Sequence, residues 1–256
     1  MKIFIKIAAT AMIWFVIIPI VWSSPNEQSY DCRFYNAYIT GDMTEWPAWM
    51  NQIEDHYLQR ENHKLLYDLV MAYYGYVGYL IGVDQHEKAE EYIEKGIYYV
   101  EQLDNYAIYQ SLYEAMKGAF YAFRIGISSS LTVWLGPKSM SHINKAVELD
   151  STNPVAWVEK ANAEYHMPRI FGGSYGKAVE YYRKAVGYFE EQPDSIGCNW
   201  MYLNALAWLA KSYDKAEMVV RAEMTYQRIL KIEPDFSWVK NELYPSFKKR
   251  HENIKK

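Results

Sequence analysis

The chain has 256 residues, of which 50% are hydrophobic, 17% aromatic and 23% charged, and this composition excludes an intrinsically disordered chain. Its formal net charge is −4 and no basic block dominates, so we expect no nucleic-acid partner. Two cysteines are too few for a disulfide scaffold or a four-thiolate zinc site.

Residues 1–23 have the pattern of a secretory signal peptide. Lys2 and Lys6 precede an apolar run from Ile7 to Trp22, and Val21 and Ser23 provide small residues around a cleavage position. A membrane-spanning helix needs about 20 apolar residues, which is longer than this run. Cleavage is therefore favoured, and retention of the segment as an N-terminal anchor is the alternative.

The processed chain is expected to stay in solution outside the cytoplasm. Without residues 1–23 it carries 25 Lys and Arg against 31 Asp and Glu, a formal net charge of −6. We expect an exported bacterial protein, periplasmic or associated with the outer envelope, with no stable membrane insertion after cleavage.

The two cysteines lie far apart in the sequence. Ser29, Tyr30 and Asp31 precede Cys32, whereas a bacterial lipoprotein needs small residues there, so lipidation is not expected. An oxidising compartment would permit Cys32 to pair with Cys198, and two buried thiols are the alternative. The sequence leaves both open.

The hydrophobic periodicity after Gln28 is helical almost throughout, and no sustained apolar–polar alternation indicates a strand. Asn153, followed by Pro154, and Ser174, preceded by two glycines, have the pattern of helix caps. The sequence therefore predicts an all-α fold, with helices near 28–40, 45–59, 62–82, 85–102, 106–126, 137–149, 154–166, 174–190, 199–213, 216–232 and 236–247.

Small and aromatic residues recur at helical spacing in the second half of the chain. Ala178, Tyr182 and Ala185 stand at i, i+4 and i+7, and Ala222, Tyr226 and Ile229 repeat this spacing. A small side chain allows two helix backbones to approach, and the aromatic ring fills the neighbouring gap. The predicted packing positions are Ala89, Ala146, Ala161, Ala178, Tyr182, Ala185, Ala210, Tyr213, Ala222 and Tyr226.

This pattern resembles the tetratricopeptide repeat (TPR) family, whose unit is a helix–turn–helix of about 34 residues. The segment from Ala146 to Trp157 is similar to the junction between two such repeats, and the resemblance is best over 139–235. It implies a right-handed superhelical stack of antiparallel helix pairs, with about five pairs and a capping helix. That domain would span 24–247, and 248–256 would form a basic C-terminal tail.

The turn between the helices at 154–166 and 174–190 is five residues longer than the family's usual spacing. Its sequence from Pro168 to Ser174 resembles a loop in exported bacterial repeat proteins, among them the T-component-like proteins of TRAP transporters. This resemblance implies a small organic ligand or a partner in the groove. The alternative is structural: Phe171 plugs the core, Gly172 and Gly173 permit a tight turn, and Ser174 caps the next helix.

No catalytic, metal or cofactor site is predicted, and we do not expect an enzyme. Residues 172–176 match the hydrolase pattern G-x-S-x-G, but a helix precedes Ser174 and His251 is the sole downstream histidine. None of the six histidines forms an H-E-x-x-H zinc motif. The charges around Glu87 fit a solvated helix face.

The sequence contains 25 Tyr, 9 Trp and 9 Phe, well above the average for a chain of this length, and packing in the core or between helices is the favoured interpretation for any single tyrosine. Helical repeats present a concave surface on which aromatic side chains provide contact area at low entropic cost. We therefore predict a scaffold that binds a protein or peptide in its concave groove, and the alternative is a small-ligand-binding component of an envelope transport system. The candidate groove residues are Tyr73, Tyr76, Trp157, Phe171, Gly172 and Gly173.

Overall fold

The computed structural model describes residues 29–192 and 196–252, so the predicted signal peptide lies outside the described residues. The described part contains eleven α-helices and no strand, which confirms the predicted all-α fold. The helices are α1 (Tyr30–Thr40), α2 (Trp46–Gln59), α3 (His63–Gly82), α4 (His86–Leu103), α5 (Gln110–Ile127), α6 (Thr132–Leu149), α7 (Pro154–His166), α8 (Tyr175–Glu190), α9 (Trp200–Lys215), α10 (Val219–Ile232) and α11 (Tyr244–His251). A π-helical segment, Val239–Leu243, leads into α11.

Side-chain caps begin four of these helices. The oxygens of Asn153 and Ser174 accept hydrogen bonds from the backbone N–H groups of Val155 and Lys177, at 3.0 and 3.3 Å, as their sequence context predicted. Asn62 and Asn199 cap α3 and α9 in the same way. Ser174 therefore serves helix formation in the sequence that matches the hydrolase pattern.

Two helices extend beyond their predicted bounds by four residues or more. A short 3₁₀-helix over Ser129–Leu131 leads into α6, which therefore begins at Thr132 and contains Pro137 instead of starting at it. At the other end of the chain, α11 continues to His251 inside the predicted basic tail. Arg250 Nη2 and His251 Nε2 lie 2.6 and 2.7 Å from the carboxylate of Asp214, which anchors this last turn to α9.

Consecutive helices pack against each other in pairs, α3 with α4, α5 with α6, α7 with α8 and α9 with α10. Because the connections are short, neighbouring helices run in alternating directions. The first helices of successive pairs also contact one another, more closely than the second helices do. The first helices therefore line the inner, concave side of the stack. All ten predicted packing residues are buried: Ala89, Ala146, Ala161, Ala178, Tyr182, Ala185, Ala210, Tyr213, Ala222 and Tyr226.

The turns inside the α3–α4 and α9–α10 pairs have the same backbone conformation. Asp84 and Glu217 occupy corresponding positions with φ values of +58° and +60°. In each turn the N–H of the residue before the left-handed one donates to a carbonyl group of the preceding helix, Val83 N to Tyr79 O (3.0 Å) and Ala216 N to Ser212 O (2.9 Å). This repeated left-handed turn is the C-terminal cap that helices commonly use.

Candidate functional site

Three of the predicted groove residues lie inside helix pairs and not on the concave surface. Tyr73 and Tyr76 are buried and their rings contact Tyr92 of α4, with centroids 6.1 and 4.8 Å apart. Trp157 is buried against Tyr181 of α8, with ring centroids 5.5 Å apart. Each of these side chains therefore joins the two helices of its own pair.

Helix α1 covers part of the concave side. The Tyr38 hydroxyl donates to Asn204 Oδ1 of α9 at 2.9 Å, and the Tyr38 ring contacts Trp200 and Phe236. The Tyr35 hydroxyl donates to the carboxylate of Glu233, just beyond α10, at 2.8 Å. The inner face of the last pair is thus occupied by the chain's own N-terminal helix.

A disulfide bond holds α1 in this position. Cys32 in α1 is bonded to Cys198, which lies directly before α9 and is 166 positions away in the sequence. The pairing that the sequence left open is therefore present. Trp46 and Trp200 pack beneath α1 against Gly75 of α3, where a Cβ atom would contact both indole rings.

A buried polar network lies between α3, α7 and α8. Asn162 Nδ2 donates to Glu159 Oε1 at 3.2 Å and to the Tyr74 hydroxyl at 3.3 Å, and the Tyr182 hydroxyl donates to Asn162 Oδ1. Desolvation by burial raises the pKa of Glu159 to about 7, although hydrogen bonds from Tyr74 and Asn162 act in the opposite direction. The network therefore holds a carboxyl group that ionises near neutral pH.

The inserted turn after α7 is an ordered structure that closes on its own backbone. Pro168 O accepts hydrogen bonds from Phe171 N (2.9 Å) and Gly173 N (3.3 Å), and Ser174 N donates to Glu164 O at 3.0 Å. A Cβ atom on Gly173 would collide with the carbonyl group of Met167, and Gly172 has a φ of +100°. The two glycines therefore permit the turn, as the structural alternative predicted.

The prediction that Phe171 plugs the core is wrong. Phe171 is 64% exposed and its neighbour Ile170 is 86% exposed. The short 3₁₀-helix Arg169–Phe171 carries both side chains outward. The turn keeps its shape through hydrogen bonds within its own backbone, so it does not depend on burying these side chains.

Next to the inserted turn, five side chains from α7, α9 and the segment before α11 form a cluster that we call the aromatic–lysine site. Its members are Tyr165, His166, Trp208, Lys211 and Trp238. The Lys211 ammonium lies 3.5 Å from the centroid of the Trp208 ring and 5.3 Å from that of Trp238. The rings of Tyr165 and His166 contact Trp208 edge-on, with centroids 5.1 and 5.0 Å away.

The electrostatics of this site are unusual because its lysine has no carboxylate partner among the described residues. Burial lowers the pKa of Lys211 to about 8, and the positive charge of Lys215 contributes in the same direction. Asp214, one turn further along α9, is engaged by Arg250 and His251. A cation that is partly desolvated and unpaired favours an anionic ligand.

His166 is the second distinctive group of the site. Desolvation against the rings, with a smaller contribution from Lys211, lowers its pKa to about 4, so the imidazole is neutral at pH 7. Its ring lies against Tyr165 and Trp208 while the residue as a whole stays exposed, and its ring nitrogens form no hydrogen bond within the described part of the chain. A neutral imidazole of this kind can coordinate a metal centre that a ligand brings with it.

The inserted turn also encloses a small cavity of about 110 Å³, lined by Glu164–Arg169 and Gly173–Tyr175. This volume holds a few water molecules and is too small for a drug-sized ligand. A larger ligand would therefore lie across the half-buried aromatic rings of the site and not inside the cavity. No cluster of three or more metal-ligating side chains occurs within residues 29–192 and 196–252.

Sequence reasoning missed the aromatic–lysine site because its members are distant in the chain. The spacing of Trp208 and Lys211, at i and i+3, and the position of Tyr165 and His166 at the end of α7 were the available signals. Both are common on helices, and only the fold brings them together with Trp238.

Comparison with known proteins shows a related fold. The HusA haemophore from Porphyromonas gingivalis is similar in structure, with a TM-score of 0.61 and 16% sequence identity, over 73% of this chain and 94% of that chain. No protein-family model matches the sequence, and no curated protein matches it. Within the described residues, no helix is both long and apolar enough to cross a membrane. At this identity the likeness to HusA shows the fold alone, an all-α stack of helix pairs.

Proposed function

We propose that this chain is an exported, non-enzymatic, TPR-like protein that binds a flat, aromatic, anionic ligand at the aromatic–lysine site. The observation that carries the proposal is Lys211, a partly buried ammonium stacked on Trp208 with no carboxylate partner among the described residues. A ligand with a carboxylate would supply the missing counter-charge, and its apolar rings would pack against Trp208 and Trp238.

Haem is the member of this ligand class that we choose as the probe. It combines a flat aromatic macrocycle with two carboxylates, and its iron accepts an imidazole ligand of the kind that His166 provides. The structural neighbour HusA carries the name haemophore, which supports the same choice. In this proposal His166 would ligate the iron, and Lys211 would bind a carboxylate.

Export is part of the proposal. The N-terminal pattern of residues 1–23 favours secretion, and the Cys32–Cys198 bond fits an oxidising compartment such as the periplasm or the outer surface of the envelope.

A titration of the purified protein with haemin tests the proposal. We expect a shifted Soret band that saturates at a single equivalent. His166→Ala should abolish the spectral signature of imidazole ligation, and Lys211→Gln should weaken binding about tenfold, because a charge-assisted hydrogen bond is lost. His86→Ala, at a side chain that is 43% exposed, and Lys138→Gln, at an exposed residue, both lie outside the site and are the matched controls.

Two results would contradict this assignment. Absence of a Soret shift would exclude haem as the ligand. A shift that persists unchanged in both His166→Ala and Lys211→Gln would place the binding elsewhere on the chain.

A protein or peptide partner in the concave groove stays a prediction. The position of α1 against Trp200 and Asn204 leaves less of that groove open than the sequence implied. Such a partner would therefore have to use the inner surfaces of α5 and α7 or displace α1.

A further inference from the structure

The alternating helix directions divide the stack into two edges. The turns inside the pairs α3–α4, α5–α6, α7–α8 and α9–α10, at 83–85, 128–131, 167–174 and 216–218, lie at one edge, which we call the pair-turn edge. The turns between helices that belong to different pairs, at 60–62, 104–109 and 150–153, lie at the opposite edge.

Large apolar side chains project from the last three turns of the pair-turn edge or from the helix starts beside them. Val133 and Trp134 are 78% and 75% exposed, Ile170 and Phe171 are 86% and 64% exposed, and Val220 is 71% exposed. Exposure of this extent at successive turns differs from the single exposed apolar residues that are normal on protein surfaces.

Basic side chains accompany these apolar residues. The second turn of α6, the first turns of α8 and α10 and the inserted turn contribute exposed cations, and the end of α9 adds another: Lys138, Arg169, Lys177, Lys215 and Arg221. On the same edge, Glu164 is paired with Lys177 at 3.5 Å, Glu217 is exposed, and the α3–α4 turn carries exposed Asp84 and Glu87. The turns of the opposite edge carry Arg60, Glu61, Asp104 and Asp150. The chain is acidic as a whole, but the part of the pair-turn edge from α5 to α10 is locally basic.

We infer that the pair-turn edge docks peripherally on the surface of an anionic lipid bilayer. The apolar tips would enter the interface between headgroups and acyl chains, and the lysines and arginines would contact the phosphates. A lipid surface fits better than a protein partner, because the apolar residues stand on separate turns with charges between them. A protein interface instead centres on one continuous patch depleted of charge.

The inserted turn is suited to this role because its shape is fixed before contact. Its backbone hydrogen bonds and the close approach of Gly173 to Met167 hold Ile170 and Phe171 outward without a partner. Lipid docking would therefore order few additional groups. The inference does not depend on the proposed ligand.

Flotation with lipid vesicles tests this inference on the exported, processed chain, whose N-terminus is verified by mass spectrometry. We expect it to bind vesicles of phosphatidylcholine mixed with phosphatidylglycerol, to bind phosphatidylcholine alone more weakly, and to be released by salt. The double variant Ile170→Ser/Phe171→Ser should lose at least about tenfold in vesicle affinity, because two apolar side chains no longer enter the interface.

The matched control is Leu58→Ser/Ile108→Ser, which changes two apolar residues, 64% and 70% exposed, near the turns between pairs. Its vesicle binding should equal that of the wild type, and the haemin titration of Ile170→Ser/Phe171→Ser should also be unchanged. Absence of binding to anionic vesicles, or equal losses in the two double variants, would overturn the inference. Concentration-dependent dimerisation that Ile170→Ser/Phe171→Ser abolishes would also overturn it, because the edge would then be an interface between copies of the chain.

Discussion

The repeat stack from α3 to α10 and the N-terminal helix α1 are held in place by different kinds of contact. In the stack, alanines such as Ala178 and Ala185 let each helix approach its sequence neighbours. Helix α1 instead contacts α9 and the segment after α10 through tyrosine hydroxyls, and a disulfide bond joins it to Cys198. The stack therefore depends on local, repeated packing, whereas α1 depends on a few contacts between residues that are far apart in sequence.

Removing the disulfide is the strongest test of this difference. Cys32→Ser should lower the free energy of unfolding by about 4–5 kcal/mol, because the bond closes a very long loop in the unfolded chain. Chemical denaturation measures this loss, and hydrogen exchange should show that the amides of α1 lose protection first while those of α7 and α8 stay protected.

Cys198→Ser is the control for this experiment, and the two serine variants should have equal stability. If α1 stays as protected as α8 in both variants, the tyrosine contacts alone hold it, and the contrast between the two regions is not valid.

Glu159 tests the interior of the stack through pH. The raised pKa keeps the proton on this carboxyl up to about pH 7 in the folded chain, whereas the unfolded chain loses it near the ordinary pKa of 4.5. Stability should therefore fall as the pH rises from 4.5 to 7 and stay lower above that. Glu159→Gln removes the buried charge and should be about 2–3 kcal/mol more stable than the wild type at pH 8.

The same variant should have nearly wild-type stability at pH 4.5, where the carboxyl is protonated in the folded chain. Thermal unfolding at both pH values measures the difference. A gain of equal size at both values would show that the effect does not come from ionisation of Glu159.

Ala185→Leu tests close packing within the stack. A larger side chain at this fully buried position should overpack the helix interface and lower the free energy of unfolding by about 1–3 kcal/mol. Exposed Lys184→Leu on the same helix is the control and should have a smaller effect. An unchanged melting temperature in Ala185→Leu would remove Ala185 from the set of packing positions.

The left-handed turn at Glu217 should give the smallest effect, with the opposite sign. Glycine adopts a φ of +60° without the steric penalty of a side chain, so Glu217→Gly should raise the free energy of unfolding by about 0.5–1 kcal/mol. Denaturant titration measures the gain, and Glu223→Gly, in the middle of α10, should destabilise instead. If Glu217→Gly also lowers the free energy of unfolding, the positive φ of Glu217 does not reduce the stability of the native chain.

The helices and their packing positions could be predicted from the sequence because both depend on local periodicity. The spacing of Ala178, Tyr182 and Ala185 places them on one helix face, and that face is buried. Helix ends were harder to predict from the sequence. The start of α6 depends on the 3₁₀-helix before it, whereas Pro137 has the pattern of a first helical residue and indicated a later start.

The candidate site could not be predicted because it depends on contacts between distant parts of the chain. Tyr73 and Tyr74 are adjacent in sequence, yet one packs against α4 and the other joins the network around Asn162. Lys211 and Trp238 meet only because α9 lies beside the segment before α11. Likewise, no local pattern indicates that α1 folds back onto the concave side.

The link between Cys32 and Cys198 also constrains how the number of repeats can change. An open array of helical hairpins can gain or lose a unit by duplication or deletion, because each unit contacts only its neighbours. Here α1, about 16 Å long at 1.5 Å per residue, must reach from the start of the array to α9. An extra hairpin between these points would place Cys198 too far from Cys32 for the disulfide bond to form. The disulfide bond therefore restricts the array to its present number of hairpins.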